Sequence, residues 1–168
     1  RQVAAIYMTL PGNPYIYYGE ELGMLGEKPD EMIRTPFLWG ENSSYNTTWI
    51  EDEQNIWTKT LEEQIVDDTS MYSFYKELIA VRKENAALLN GDFLAVDTGN
   101  NSIMAYVREC DEQRVLVFHN LSSGEQTLSL QDYDVKDVLY SIDKNTEKEL
   151  VNQKITLPGN QSILLEIE

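Results

Sequence analysis

A change of hydrophobic period near residue 86 constrains this chain more than any other feature. Upstream of it, SMYSFYKELIAVRKEN (70–85) places Met71, Phe74, Tyr75, Leu78 and Ile79 at helical spacing. Arg82 and Lys83 fall in its last turn, where cations suit the helix dipole. From residue 87 the period drops to two. FLAV, SIMAYVR, RVLVFHN, QTLSL, DVLYSI, ELVNQKITL and SILLEIE are short runs of alternating or β-branched character. Turn signals separate them at Gly99-Asn100-Asn101, Ser122-Ser123-Gly124, Asp143-Lys144-Asn145 and Pro158-Gly159-Asn160. Such a series predicts an antiparallel sandwich or barrel over 87–168. The chain therefore reads as two parts, 1–86 and 87–168. No repeat or low-complexity linker lies between them, which predicts close packing.

The first part has its own punctuation. Residues 1–10 read as the end of a buried helix, stopped by Pro11-Gly12, since proline cannot continue a helix and glycine suits a left-handed cap. YIYYG (15–19) then reads as a short strand covered on both faces. Residues 20–69 show little helical or strand period and hold all three tryptophans, Trp39, Trp49 and Trp57. A connector of that length is functional or disordered, and the tryptophans argue against disorder. Arg1 opens inside a helical pattern, so the start reads as an internal boundary and not as a natural amino terminus.

Charge narrows the partners. The net charge is −16, from 13 basic and 29 acidic residues. Residues 1–85 hold 7 basic and 15 acidic groups and residues 86–168 hold 6 and 14, so each part carries −8. A uniformly acidic surface argues against nucleic acid and anionic membrane, both of which need a basic face. It fits a neutral ligand, a cation, or solubility alone. The apolar runs fall well short of the ~18 residues of a spanning helix. One cysteine, Cys110, excludes an internal disulfide and a cysteine zinc cluster. The single histidine, His119, lies in an apolar strand run, so packing is the expected role of both. The sequence leaves bacterial extracellular and cytoplasmic compartments both open.

Three motifs stand in order. Gly12-Asn13-Pro14-Tyr15-Ile16-Tyr17-Tyr18-Gly19-Glu20-Glu21 has the form G-x-P-x-x-Y-x-G-x-E. Ile33-Arg34-Thr35-Pro36-Phe37-Leu38-Trp39 has the form R-x-P-[MF]-x-W. Residues 61–91 run from LEEQ through YSFYKELIAVRKENAALLNG. Together they resemble the carboxyl-terminal end of the α-amylase superfamily of glycoside hydrolases. The resemblance implies the last helix, strand, long loop and helix of a TIM (β/α)8 barrel over 1–86, followed by an antiparallel β-sandwich domain over 87–168.

What that likeness implies about the site follows from the barrel. Carboxyl ends of barrel strands build the active site. Tyr17, Gly19, Glu20 and Glu21 would sit at its rim in a structural role. There Gly19 turns the backbone out, and Glu21 matches the family's recurrent acid and accepts hydrogen bonds to organise the loop. Arg34 resembles a donor to sugar hydroxyls, its five fixed N–H groups suiting adjacent hydroxyls; a salt bridge to Asp30, four residues earlier, is the alternative. Trp39 would stack on a sugar face or anchor the loop. Glycoside hydrolysis needs two opposed carboxylates. In this family these lie on earlier strands, so no catalytic residue is expected in this chain, which alone is expected to be inactive. The parent would be a retaining hydrolase of α-glucosidic bonds in maltooligosaccharides or α-glucans.

Two readings from other classes stay open: a non-catalytic carbohydrate-binding or interaction module, and a catalytically silent relative. The aromatics of 87–168 (Phe93, Tyr106, Phe118, Tyr133 and Tyr140) fall mostly within strand patterns and are expected in the core. No cofactor is expected in this chain. Acid pairs such as Asp67-Asp68 lack the spacing of a calcium loop, so calcium is an expectation for the parent only. The missing amino-terminal part of the barrel is the expected partner of residues 1–60. Without it, their exposed apolar faces would favour mobility or self-association.

Overall fold

The seven period-two runs become strands, for each puts alternate side chains on the two faces of a sheet. In the computed structural model, which describes residues 1–144 and 153–168, they are β1 (Asp92–Val96), β2 (Ile103–Glu109), β3 (Arg114–Asn120), β4 (Gln126–Ser129), β5 (Val135–Ser141), β6 (Lys154–Leu157) and β7 (Ser162–Ile167). Asn145 of one expected turn and the first four residues of ELVNQKITL lie outside the described residues. The larger sheet has the order β1-β2-β3-β7-β5, and β4 pairs with β6 in a second sheet; every pairing is antiparallel.

One face of the large sheet carries Ala105, Val107, Leu116, Phe118, Ile163 and Leu165, packed with Leu128, Ile155 and Leu157 of the small sheet. This is the sandwich core, and each such side chain contributes about 1.5–3 kcal/mol by leaving water. The opposite face buries Tyr106, Val115, Val117, His119 and Leu164. Helices α1 (Gln2–Thr9) and α5 (Ala86–Asn90) lie against β2, β3 and β7. Cover on both faces explains why RVLVFHN reads as an almost unbroken apolar run.

Helix α1 ends where Leu10 turns extended ahead of Pro11, and Gly12 follows at φ +97°. Its open carbonyls are taken by two arginines. Arg108 of β2 donates to Thr9 O at 2.7 Å and Gly91 O at 2.8 Å. Arg82 donates to Leu10 O at 3.0 Å and Gly12 O at 2.6 Å. Ala4, Ala5 and Met8 of α1 are buried, so this helix has a covered apolar face.

The chain divides into two compact units, 1–14 with 78–168, and 15–77. The units cut it differently from the sequence boundary at residue 86. Within 15–77 the expected structureless loop holds a 3-10 turn (Glu20–Leu22), α2 (Asp30–Ile33) and α3 (Leu61–Ile65). Thr60 and Glu63 form a reciprocal capping box on α3. Helix α4 (Met71–Glu84) opens at Ser70, whose Oγ accepts from Ser73 N at 3.0 Å. The strand expected at Tyr15–Gly19 is not formed: a strand exists by its ladder, and no described segment pairs with these residues.

Candidate functional site

Residues 36–66 fold around an open concavity of about 1170 Å³. Phe37 and Trp39, two apart, have ring centroids 4.6 Å from each other, and Tyr45 joins Trp39 at 5.5 Å. The backbone beneath is pinned to α3: Leu61 N donates to Leu38 O at 2.7 Å and Glu62 N to Trp39 O at 3.0 Å. Asn46 Nδ2 closes the loop on Gly40 O at 2.6 Å. A Cβ at Gly40 would lie 2.3 Å from a Glu62 carboxylate oxygen and 3.0 Å from Glu62 Cβ, so a larger residue there would displace the Glu62 side chain.

The wall joins an aromatic face to acceptors and donors. Trp39, Asn46, Thr48, Asp52 and Glu62 all line it. Its lining holds five carboxylates, Glu41, Glu51, Asp52, Glu62 and Glu63, and neither lysine nor arginine. Such a wall repels anions and offers acceptors to hydroxyl donors, while an indole offers an apolar face. It suits a neutral polyhydroxylated ligand. Trp39 is about 38% exposed, open enough to be touched.

The other predicted residues lie beside this concavity in sequence. Gly19 sits at φ +91°, a backbone that favours glycine. Its N–H donates to Glu21 Oε2 at 2.8 Å, and its carbonyl accepts from Leu22 N and Met24 N. Tyr75 Oη donates to Glu20 Oε2 at 3.4 Å. Tyr17 packs on Tyr18 at 4.9 Å, and Tyr18 Oη donates to Thr35 O at 3.2 Å, tying the rim turn to the Arg34 segment. Burial, and then the neighbouring Tyr17, push the Tyr18 phenol up. Arg34 caps α2 and its Nη2 reaches Asp30 Oδ2 at 3.5 Å, so the guanidinium is engaged in the exposed i,i+4 pair and is not in the concavity wall. Trp49 and Trp57 are exposed, Trp57 at 91%.

Sequence reasoning missed Tyr45, Asn46 and Glu62. The run Ser44-Tyr45-Asn46-Thr47-Thr48-Trp49, rich in hydroxyls and amides between aromatics, was the available signal. Asn55 was missed too: buried, it accepts from Leu25 N at 2.7 Å and donates to Leu25 O at 2.9 Å and Asp52 Oδ2 at 2.8 Å. Among the described residues no group of three or more His, Cys, Asp or Glu is placed to hold a metal, and no helix is long and apolar enough to cross a membrane.

With this geometry in view, comparison with known proteins decides the family. The α-amylase catalytic-domain model matches residues 1–91. The chain belongs to the α-amylase family. A second model, the α-amylase SusG C-terminal domain, matches residues 103–164. The chain thus joins the end of the α-amylase (β/α)8 catalytic barrel to its antiparallel β domain. It is 39% identical to α-amylase 3 of Dictyoglomus thermophilum, over 97% of this chain and 33% of that protein. It is 32% identical to α-amylase SusG of Bacteroides thetaiotaomicron, over 98% of this chain and 25% of SusG. A glucan 1,6-α-glucosidase of Streptococcus pneumoniae matches at 30%, over 92% of this chain and 36% of that protein. The chain therefore spans about a third or less of the length of the first two of these relatives. Among solved structures, the α-amylase of H. orenii superposes with a TM-score of 0.78 at 31% identity, covering 99% of this chain and 35% of that one. Trehalulose synthase MutB of Pseudomonas mesoacidophila MX-45 shares the fold, with a TM-score of 0.84 at 23% identity over 99% of this chain and 38% of its own.

Proposed function

We propose that this chain is the carboxyl-terminal part of a retaining glycosidase that hydrolyses α-glucosidic bonds in maltooligosaccharides or α-glucans. The observation that carries this reading is the aromatic and carboxylate-lined concavity at 36–66, set within the segment that matches the α-amylase catalytic domain. Its relatives are named as α-amylases and a glucan 1,6-α-glucosidase, which supports an α-glucan as ligand. In this reading Trp39 stacks on a sugar ring, and Asn46 and Asp52 exchange hydrogen bonds with its hydroxyls. Arg34, paired with Asp30 outside the concavity wall, would meet a sugar hydroxyl only of a ligand that extends past the concavity. Tyr17, Gly19, Glu20 and Glu21 hold the rim turn. The nucleophile and the acid belong to the part of the longer enzyme that this chain does not span, so the chain supplies binding and shape.

The test is Trp39→Ala in the longer enzyme, assayed on maltooligosaccharides. The expected loss is about tenfold in kcat/KM, the effect of removing roughly 1.4 kcal/mol of binding, with a larger change in KM than in kcat. Unchanged kinetics would remove Trp39 from the ligand path. An enzyme that binds maltooligosaccharides without turnover would favour a binding module.

A further inference from the structure

Helix α3 stands between two concavities. Its cap Thr60, with Glu62 and Glu63, lines the one described above, while Gln64 lines a second, of about 390 Å³. The two share no lining residue. Trp57 stands in the wall of the second at 91% exposure.

The turn that presents Trp57 is fixed on both sides of the ring. Ahead of it, the buried Asn55 is tied to the Leu25 backbone. Asn55 O accepts from Thr58 N at 2.9 Å, and Asn55 Oδ1 accepts from Thr58 Oγ1 at 3.0 Å. Behind it, Lys59 O accepts from Gln64 Nε2 at 2.9 Å. An indole on a backbone held this way loses little freedom when another ring stacks on it.

The lining beside the indole is polar and balanced in charge. Lys59 Nζ donates to Asp67 Oδ2 at 2.9 Å, and Asp67 Oδ1 accepts from Thr69 N at 2.9 Å and Thr69 Oγ1 at 2.7 Å. An ammonium has three donors and a carboxylate oxygen two lone pairs, so this pair keeps donors and an acceptor to spare. Adjacent hydroxyls of one sugar ring can use both together, one accepting from Lys59 and its neighbour donating to Asp67 Oδ2. The two charges cancel, which suits a neutral ligand. The buried centre of a protein–protein contact is poor in lysine and aspartate, so this lining fits a sugar better than a protein partner. Its volume falls in the lower part of the range of small-molecule sites, about 300–1,000 Å³.

We propose that Trp57, with Lys59 and Asp67, is a second contact for an α-glucan chain, across α3 from the Trp39 concavity. It rests on the α-glucan reading given above and adds a place on this chain where the glucan is held. Being smaller than the first concavity, it binds the more weakly of the two.

The test is nuclear magnetic resonance on the 168-residue chain, titrated with maltotetraose in wild type, Trp39→Ala and Trp57→Ala. In wild type the Trp57 indole and the Thr58 and Lys59 amides should shift. Their midpoint should stay within about twofold in Trp39→Ala, as independent sites require. In Trp57→Ala, whose exposed ring carries little stability, the Kd read from the Lys59 amide should rise by at least about tenfold. The Trp39 indole should titrate there as in wild type. Shifts at Trp39 with Trp57 unmoved would overturn the second contact and leave the first reading standing. Trp57 shifts that vanish in Trp39→Ala would also overturn it, since one site would then account for both. Neither ring moving at millimolar sugar would overturn both readings. A Trp57 signal that moves on dilution of the chain without sugar would give the ring to a second copy and overturn the glucan contact.

Discussion

The unit formed by 1–14 with 78–168 and the unit formed by 15–77 are held by different chemistry. The first buries contiguous aliphatic side chains between two sheets, with Tyr106, His119 and Arg108 hydrogen-bonded inside. The second, among its described residues, has few fully buried apolar side chains. It relies on amide and carboxylate side chains that grip backbone, such as Asn55 on Leu25 and Gln64 on Leu22 O at 2.9 Å. Several of its large aromatics stay at the surface, with Tyr15 at 89% exposure, while Phe74 and Tyr75 of α4 are buried. The difference teaches where function can reside. A dry aliphatic core specifies shape and offers nothing to a ligand, whereas a loop pinned by hydrogen bonds leaves its rings free to touch one.

That comparison can be broken at several points. The largest effect is expected from Phe118→Ala, which empties a site in the sandwich core that is 1% exposed. Denaturant unfolding should show a loss of about 3–5 kcal/mol; a loss below 1 kcal/mol would mean that the two sheets are not closely packed. Next comes acid. His119 has a folded pKa of about 4 against 6.5 unfolded, so the unfolded chain takes up the proton first. Its contribution is complete above pH 6.5 and is lost as the pH falls toward 4, by up to about 3 kcal/mol. Stability curves of wild type and His119→Gln should diverge in that window and nowhere above it.

Smaller effects sharpen the other side. Asn55→Ala removes the bonds that this buried amide makes to the Leu25 backbone, for a cost of about 1 kcal/mol. Amide exchange should rise around Leu25 while β2, β3 and β7 keep their protection. Equal loss across both units would mean that they unfold as one. The smallest effect is expected at Trp57, exposed at 91%. Trp57→Ala should change unfolding stability by less than about 0.5 kcal/mol.

Much of the first unit was legible in the sequence because period is a local signal. The seven strands and helices α1 and α4 follow from spacing and turn residues read one stretch at a time. The strand order β1-β2-β3-β7-β5 was not legible, because it is set by which faces fill one another across the chain. Arg108 shows the same limit: it reads as a polar strand position, yet it pairs with Thr9 O, 99 residues away. Beside the site, Arg34 with Asp30 was readable because the partners are four residues apart. Tyr45 and Glu62 were not, since only the folded loop brings them to Trp39. The segment 15–19 has the composition of a strand without a partner to pair with, and composition alone does not form a ladder.

The most direct test of the account is a titration of the isotopically labelled chain with maltotetraose, followed by amide and indole resonances. All three tryptophans lie in 15–77, so indole signals report on that unit alone. Shifts confined to residues 36–66, led by the Trp39 indole, are the predicted result. Shifts that cluster in 87–168, or none at millimolar sugar, would contradict the claim that the hydrogen-bonded loop is the part of this chain that meets the glucan.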